Sequence, residues 1–179
     1  DILEKIDENT KIITTSAVQY STGYRTDLEK LGSICKEQNI IFVVDGIQSM
    51  GKLDVDVKKC NIAYLACGGN KGLLGMLGAG FVFCDEKIVQ KIIPPYACYQ
   101  SVENYVKPPA LITDYSKIDW RKDSRRLESG NLNYAGIAAI GAGVELINKI
   151  GVKEIESHIL NLEDKLIEGL KDMPFQLRS

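Results

Sequence analysis

The stretch IIFVVDGIQ, residues 40–48, decides the fold of this 179-residue chain. Residues 40–44 are all apolar, which is typical of a parallel strand that is buried on both faces of a sheet. Asp45 follows at the carboxyl end of that strand, where open α/β sheets place their ligands. A carboxylate that is partly removed from water there needs a cationic partner. The stretch therefore predicts an α/β fold with a site at the end of this strand.

A second stretch, CGGNKGLLGMLGAGFVF at residues 67–83, places a lysine just after the next strand. Lys71 lies 26 residues after Asp45, and the glycines around it let the backbone approach a bulky ligand. An amine that forms a Schiff base and a carboxylate that pairs with a pyridinium nitrogen are what a protein supplies to pyridoxal phosphate. Gln48 adds an amide that can donate to the phenolate oxygen of the same ring. These residues together predict a pyridoxal phosphate site.

Each of these side chains also has a simpler interpretation. A lysine in a glycine-rich turn is usually a solvated lysine, and the aspartate of a V-V-D-G string is commonly a turn or capping residue. Asp45 is also compatible with the ribose-binding acid of a dinucleotide fold, but no G-x-G-x-x-G follows a first strand here. Gln48 is compatible with a solvated turn residue. The position of Lys71 after a strand and its spacing from Asp45 favour the cofactor.

The sequence resembles the class V aminotransferase family of fold-type I pyridoxal phosphate enzymes. This family includes cysteine desulfurases, selenocysteine lyases and isopenicillin-N-epimerase-like proteins. The resemblance covers VQYSTGYRTDLEKLGSICKEQNIIFVVDGIQSMG at residues 18–51, GGNKGLLGMLGAGFVF at 68–83 and RRLESGNLNYAGIAAIGAGVELINKIGVKEIESHI at 125–159. It implies a pyridoxal phosphate enzyme that acts on an amino acid, as a transaminase or as a cysteine desulfurase or lyase.

The resemblance also implies roles for individual residues. Lys71 would form the internal aldimine with the cofactor, Asp45 would pair with the pyridine nitrogen, and Gln48 would contact the ring oxygen. Asn70 and Gly68 occupy two further cofactor-binding positions. The family usually has a histidine at the first of these positions and often a serine or threonine at the second.

A third departure from the family pattern lies further along the chain. The pattern E-x-G-T-x-N reads E-S-G-N-L-N at residues 128–133, so Asn131 replaces the threonine that typically reaches the phosphate of a neighbouring subunit. By resemblance the full-length protein would be a homodimer. Two alternatives remain: a non-catalytic or degenerate relative with the same fold, and a nucleotide-binding α/β domain without this cofactor.

The resemblance implies a three-layer architecture with a mostly parallel sheet, one antiparallel strand and helices that lead into a small domain. Residues 1–110 would be the C-terminal half of the large cofactor-binding domain, and residues 111–150 an interdomain and subunit-contact segment with a helix. Residues 151–179 would begin the small carboxyl-terminal domain. A complete enzyme of this family would be about twice as long. We therefore expect the central part of a longer protein, inactive by itself.

Periodicity and turn signals predict the order of the elements. Strands are expected at residues 11–18, 40–44, 61–66 and 80–84, and helices at residues 27–38, 85–93, 134–150 and 152–171. The last strand follows the glycine-rich turn with no helix between, and so short a connection requires an antiparallel strand. Residues 96–120 show no sustained period, which is typical of a long loop.

Composition argues against several classes of function. The net charge is −2 and the basic residues are scattered, so no surface for nucleic acid or an anionic membrane is expected. No apolar run approaches the ~20 residues of a membrane span, and a single histidine argues against a zinc site. Five cysteines without a C-x-x-C pair are typical of a reduced cytoplasmic protein. Among them, Cys67 is either a sulfur acceptor or a small buried apolar residue.

Overall fold

The computed structural model describes residues 2–103, 118–174 and 176. The strands of this part form one sheet in the order β1 (Ile12–Ser16), β2 (Ile41–Asp45), β3 (Tyr64–Gly68) and β4 (Gly80–Cys84). The helices are α1 (Leu28–Glu37), α2 (Glu86–Val89), α3 (Tyr134–Ile150) and α4 (Val152–Leu170). Among the described residues, short 3-10 helices lie at Leu3–Lys5 and Ser124–Leu127.

The first two strands and the helix between them form the parallel unit that the sequence predicts. β1 and β2 pair over their whole length, so that Ser16 lies opposite Asp45. Asp27 caps α1 by accepting a hydrogen bond of 3.0 Å from the backbone N–H of Lys30. The chain leaves α1 through Asn39, which has the left-handed φ of 55° that asparagine tolerates well. The capped helix thus returns the chain to the sheet directly before β2.

The core is centred on β2 and β3. Phe42 and Val44 of β2 and Leu65 of β3 are 0% exposed. Burial of each such side chain stabilises the fold by about 1.5–3 kcal/mol. The alternate residues of β2, Ile41 and Val43, are half-buried. The prediction of a strand that turns neither face fully to water is confirmed.

β3 begins later than the sequence predicts. We expected a strand at residues 61–66, whereas β3 spans Tyr64–Gly68. Asn61 has a left-handed φ of 49°, and its N–H donates to the carbonyl of Lys58 at 3.1 Å. A residue in that conformation belongs to a turn and cannot continue a strand. The bounds were therefore wrong, and Lys71 follows the strand more closely than expected.

β4 lies beside β3 and is the antiparallel strand that the short connection predicts. Residues 69–79 join the two strands, and we call this segment the lysine turn. The N–H of Gly69 donates to the carbonyl of Ala79 at 2.8 Å, which closes the turn at its base. No helix lies between β3 and β4, so the sheet is mixed as expected.

α2 is shorter than the sequence predicts. A helix was expected at residues 85–93, whereas α2 spans Glu86–Val89. Beyond it, the N–H groups of Lys91 and Ile92 bond to carbonyls three residues back rather than four. Pro94 explains why the helix does not continue, because it has no N–H to donate to the carbonyl of Gln90 and its ring would clash with that carbonyl. The proline therefore acts several residues before its own position.

α3 and α4 have nearly the predicted bounds. Gly151 separates them with a left-handed φ of 98°, and the two helices are bent by 79°. In the described part of the chain, no single helix is long and apolar enough to cross a membrane. The bent pair of α3 and α4 passes that test together by length and composition.

The chain divides into two compact units. The first contains Asp1–Val82 and Tyr134–Ser179, and the second is Phe83–Asn133. Every side chain assigned to the site from the sequence belongs to the first unit. Part of the predicted loop, residues 104–117, lies outside the described residues. The domain boundaries expected after residues 110 and 150 stay predictions.

Candidate active site

Asp45 is the last residue of β2, at the carboxyl end of the parallel strands. Its carboxylate accepts hydrogen bonds from the backbone N–H of Ile47 at 2.9 Å and from the hydroxyl of Ser16 at 3.3 Å. The residue is exposed, and it makes no ion pair with any residue that the structure describes. Two hydrogen bonds leave acceptor capacity on the two oxygens. The carboxylate can therefore still take an N–H or cationic partner.

Gln48 lies in the turn that follows β2, residues 46–53, which we call the aspartate turn. The N–H groups of Ser49 and Met50 both donate to the carbonyl of Gly46, at 3.0 and 2.9 Å. The Ser49 side chain is completely buried, and its hydroxyl donates to the same carbonyl at 3.1 Å. Gln48 is half-buried. Its amide is thus carried by a closed, hydrogen-bonded backbone.

Lys71 lies in the lysine turn, and its carbonyl accepts a hydrogen bond of 3.0 Å from the N–H of Leu74. Its ammonium nitrogen lies 5.1 Å from the ring centroid of Tyr20, a distance at which a cation is attracted to the ring face. Lys71 is half-buried and makes no ion pair within the part of the chain that the structure describes. Its amine faces an aromatic ring rather than a carboxylate, so it is not held by an acidic partner.

The aspartate turn and the lysine turn meet at two glycines. A Cβ on Gly51 would lie 2.3 Å from the carbonyl oxygen of Gly72. A Cβ on Gly72 would lie 2.3 Å from the carbonyl oxygen of Met50. Only residues without a side chain allow this approach, and Gly51 also has a φ of 80° that favours glycine. The two glycines thereby bring the segments carrying Gln48 and Lys71 together.

Gln48 and Lys71 line the same cavity, which has a volume of about 540 Å³. Small-molecule sites commonly measure roughly 300–1,000 Å³. Tyr20 also lines the cavity, and Ile159 and Leu160 of α4 supply apolar lining. Sequence reasoning missed Tyr20. The one available signal was its place in the loop after β1, on the edge of the sheet where Asp45 lies.

Asp45, Gly68 and Asn70 are not among the residues that line this cavity. A Cβ on Gly68 would lie 3.1 Å from the amide oxygen of Asn70 and 3.2 Å from Cδ1 of Ile47. Gly68 and Asn70 therefore pack together, next to the residue whose N–H binds Asp45. A serine or threonine at position 68 would press on the Asn70 amide. The two departures from the family pattern are compatible with each other for this reason.

Cys67 is buried at the end of β3. Its sulfur lies 3.2 Å from the carbonyl oxygen of Gly68 and 3.7 Å from that of Gly46. Burial and, to a smaller extent, the negative charge of Asp45 raise the pKa of the Cys67 thiol from 9.0 to about 11, and the positive charge of Lys52 opposes the rise. A neutral thiol is a poor nucleophile. The structure therefore favours a small buried core residue over a sulfur acceptor.

Asn131 belongs to the second unit and is described within it. Its amide oxygen accepts a hydrogen bond of 2.9 Å from the hydroxyl of Tyr99. Both side chains are exposed there. The asparagine that replaces the family's threonine is therefore engaged by a partner inside its own unit.

The first unit offers three of the groups that pyridoxal phosphate requires. Lys71 supplies a primary amine that has no acidic partner among the described residues, Asp45 a carboxylate with spare acceptor capacity, and Gln48 an amide. The described residues contain no group of three or more histidine, cysteine or acidic side chains that could hold a metal ion. The residues present fit an organic cofactor with an aldehyde and a ring nitrogen.

A family model described as aminotransferase class-V matches residues 1–178. The chain belongs to this family. Its enzymes use pyridoxal phosphate, which agrees with the donor set of the first unit. Membership of this family excludes the alternative of a nucleotide-binding α/β domain without the cofactor.

Similar proteins include named cysteine desulfurases. The chain is 31% identical over 170 residues to a probable cysteine desulfurase of Pyrococcus abyssi, covering 95% of the chain and 40% of the relative. It is 27% identical over 165 residues to a probable cysteine desulfurase of Methanothermobacter thermautotrophicus, covering 92% and 39%. The apo structure of the cysteine desulfurase from Thermococcus onnurineus NA1 superimposes with a TM-score of 0.80 at 29% identity, covering 92% of the chain and 39% of that protein. The chain thus spans about two fifths of the length of these relatives, and the fold-type I architecture is confirmed.

Proposed function

We propose that the full-length protein is a pyridoxal phosphate enzyme that acts on an amino acid as a cysteine desulfurase, a related lyase or a transaminase. The observation that carries the proposal is the shared cavity of Lys71 and Gln48, with the Asp45 carboxylate at the end of β2. The names of the two archaeal relatives support L-cysteine as the first substrate to test. We further propose that the protein is cytoplasmic and forms a homodimer.

Three side chains would hold the cofactor. The Nζ atom of Lys71 would bind its aldehyde carbon, the Asp45 carboxylate would accept a hydrogen bond from its ring nitrogen, and the Gln48 amide would donate to its ring oxygen. Pyridoxal phosphate supplies, when bound, an electron sink for negative charge at the substrate Cα. Gly68 and Asn70 pack beside Ile47 and would border the cofactor on the side of Asp45.

Lys71 would also move the proton at the substrate Cα. A primary amine within reach of that carbon can act as a general base and then return the proton as a general acid. The ring of Tyr20 attracts the ammonium form of the amine and so orients Nζ. Ile159 and Leu160 present apolar surface to the same cavity and limit the water beside the amine. Asp45 would keep a proton on the ring nitrogen that it binds.

Removal of the amine tests this function. In full-length protein, Lys71→Ala should lose covalent cofactor attachment and lower turnover of L-cysteine by about a thousandfold, within the range for a lost acid–base group. Lys58→Ala removes an exposed lysine elsewhere in the first unit, and its cofactor attachment and turnover should equal those of the wild-type protein. A Lys71→Ala variant that turned over substrate as fast as Lys58→Ala would disprove the proposal.

A non-catalytic relative is the second candidate. The substitutions at Gly68, Asn70 and Asn131 favour it, because each stands where the resembling enzymes have a group that contacts the cofactor. Wild-type full-length protein that attached pyridoxal phosphate to Lys71, yet altered no amino acid in mass-spectrometric assays, would support this candidate. Turnover of any amino acid that depends on Lys71 would exclude it.

A further inference from the structure

The cavity that contains Lys71 is rich in positive charge. Arg25, Lys52 and Lys71 line it, whereas Glu163 is the one acidic residue among the described residues that do so. Such an excess of cations in a partly apolar cavity attracts anions. Which of the cations is available depends on the partners that each has inside the protein.

The positive charge of Arg25 is balanced by a carboxylate of α4. Its guanidinium lies 2.7 Å from Oε1 of Glu156, and Oε2 of Glu156 accepts a hydrogen bond of 2.7 Å from the N–H of Asp54. Burial alone would raise the pKa of Glu156, but these two hydrogen bonds hold it below its ordinary value. Glu156 is therefore ionised at neutral pH, and the charge of Arg25 is matched within the protein.

Lys52 has no such match. Neither Lys52 nor Lys71 makes an ion pair with any residue in the ranges that the structure describes. Lys52 nevertheless lies close enough to the buried end of β3 to lower the pKa of Cys67. Its ammonium thus adds positive potential beside Lys71, and Glu163 is the one carboxylate among the described residues that lines the same cavity. A half-buried charge of this kind favours an anionic ligand.

The backbone fixes where Lys52 lies. Its N–H donates to the carbonyl of Ser49 at 3.0 Å, so it belongs to the closed aspartate turn. A Cβ on Gly72 would lie 3.0 Å from Cγ and 3.1 Å from Cε of Lys52. The stem of Lys52 therefore packs along the glycine that follows Lys71. Packing of the stem reduces the entropy that the side chain would lose on binding a ligand.

We propose that Lys52 binds an oxyanion in this cavity, either the phosphate of the cofactor or the carboxylate of the amino-acid substrate. The inference rests on the proposed function, because it requires that the ligand of Lys71 enters the same space. A lysine ammonium is a compact charge that pairs well with phosphate and carboxylate oxygens. Lys71 would bind the aldehyde carbon of the cofactor, and Lys52 would bind either the phosphate of that molecule or the carboxylate of the amino acid beside it.

Four titrations of full-length protein test this role and separate the two sources. Apo-protein is titrated with pyridoxal phosphate and with pyridoxal, which lacks the phosphate, by fluorescence quenching. Cofactor-loaded protein is titrated with L-cysteine and with cysteamine, which lacks the carboxylate, by the change in cofactor absorbance. The variants are Lys52→Gln, Lys52→Arg, which keeps the charge, and the exposed control Lys58→Gln.

Loss of a hydrogen bond to a charged group corresponds to about a 10- to 100-fold weaker Kd. If Lys52 binds the phosphate, Lys52→Gln should raise the Kd of pyridoxal phosphate by that factor and leave the Kd of pyridoxal unchanged. If Lys52 binds the substrate carboxylate, Lys52→Gln should raise the Kd of L-cysteine by that factor and leave the Kd of cysteamine unchanged. Lys52→Arg should recover most of either loss, which a merely structural role would not explain.

Two results would overturn the inference in distinguishable ways. If Lys52→Gln has the same Kd values as Lys58→Gln in all four titrations, while the wild-type protein binds the cofactor through Lys71, only the role of Lys52 is wrong. If wild type binds neither pyridoxal phosphate nor pyridoxal, the proposed function fails together with it. Circular dichroism of each variant verifies that the fold is retained.

Discussion

The aspartate turn and the lysine turn carry the two ends of the site, and they are held in different ways. In the aspartate turn, three hydrogen bonds converge on the carbonyl of Gly46, two from Ser49 and one from Met50. Ser49 is completely buried beneath them. These hydrogen bonds all lie within the eight residues of the aspartate turn.

The lysine turn also has internal hydrogen bonds, but it packs closely against α3 as well. A Cβ on Gly69 or Gly75 would lie 2.4 or 2.7 Å from the side chain of Ile140. A Cβ on Gly143 of α3 would in turn lie 2.1 Å from the carbonyl oxygen of Leu73. The turn takes its path because a distant helix fits closely against it. The path of the chain after Asp45 is therefore held by hydrogen bonds within the aspartate turn, whereas the path around Lys71 also requires close packing against α3.

Asp45→Ala should separate chemistry from stability on the aspartate side. The variant loses the acceptor for Ile47 and Ser16, but both donors can turn to water at this exposed position. Turnover in full-length protein should fall at least about a hundredfold, which corresponds to about 2.7 kcal/mol of barrier. Asp45→Asn keeps an acceptor for the Ile47 N–H and should lose as much activity. Turnover of Asp45→Ala within about twofold of wild type would show that the carboxylate has no part in the reaction.

Gly72→Ala should break the contact that joins the two turns. The new methyl group would meet the carbonyl oxygen of Met50, which is backbone and cannot move aside cheaply. The free energy of unfolding measured in urea should fall by roughly 1–3 kcal/mol. Gly141→Ala is the matched control, because nothing lies within 4 Å of its Cβ on α3. The free energy of unfolding of Gly141→Ala should rise by roughly 0.5–1 kcal/mol. Equal changes in Gly72→Ala and Gly141→Ala would contradict the close approach of the two turns.

Cys67 of β3 contacts the aspartate turn through its sulfur, which lies 3.7 Å from the carbonyl oxygen of Gly46, and pH tests how the thiol is held. As pH rises above 9.0, the unfolded chain loses the thiol proton, whereas the folded chain keeps it until about pH 11. The unfolded state then binds fewer protons, so the free energy of unfolding falls with rising pH. Between about pH 8 and about pH 10, the stability of wild type relative to Cys67→Ala should fall by about 1.4 kcal/mol. A difference that stays constant over this range would show that the thiol is not held neutral by the fold.

The parts of the fold that local signals determine were predicted well. The apolar run of β2 and the positions of α1, α3 and α4 appear nearly as expected. The start of β3 and the end of α2 were wrong, because Asn61 takes a left-handed conformation and Pro94 affects the residues before it. Neither effect is visible in hydrophobic periodicity.

The candidate site could be predicted only in part. Asp45 and Gln48 follow β2 and Lys71 follows β3, and the presence and approximate position of these strands can be predicted from the sequence. Tyr20 and Lys52 lie in loops that reach Lys71 only after the sheet has formed and the glycines have brought the turns together. Their positions depend on tertiary contacts that no local pattern encodes. The roles assigned to the individual site residues stay predictions until they are tested by substitution.

Covalent attachment of the cofactor to Lys71 is the central claim, and chemical trapping tests it most directly. Full-length protein loaded with pyridoxal phosphate would be reduced with borohydride and digested, and its peptides mapped by mass spectrometry. The pyridoxyl group should be found on Lys71, with Lys52 and Lys58 unmodified. A label on another lysine, with Lys71 unmodified, would contradict the assignment of the site.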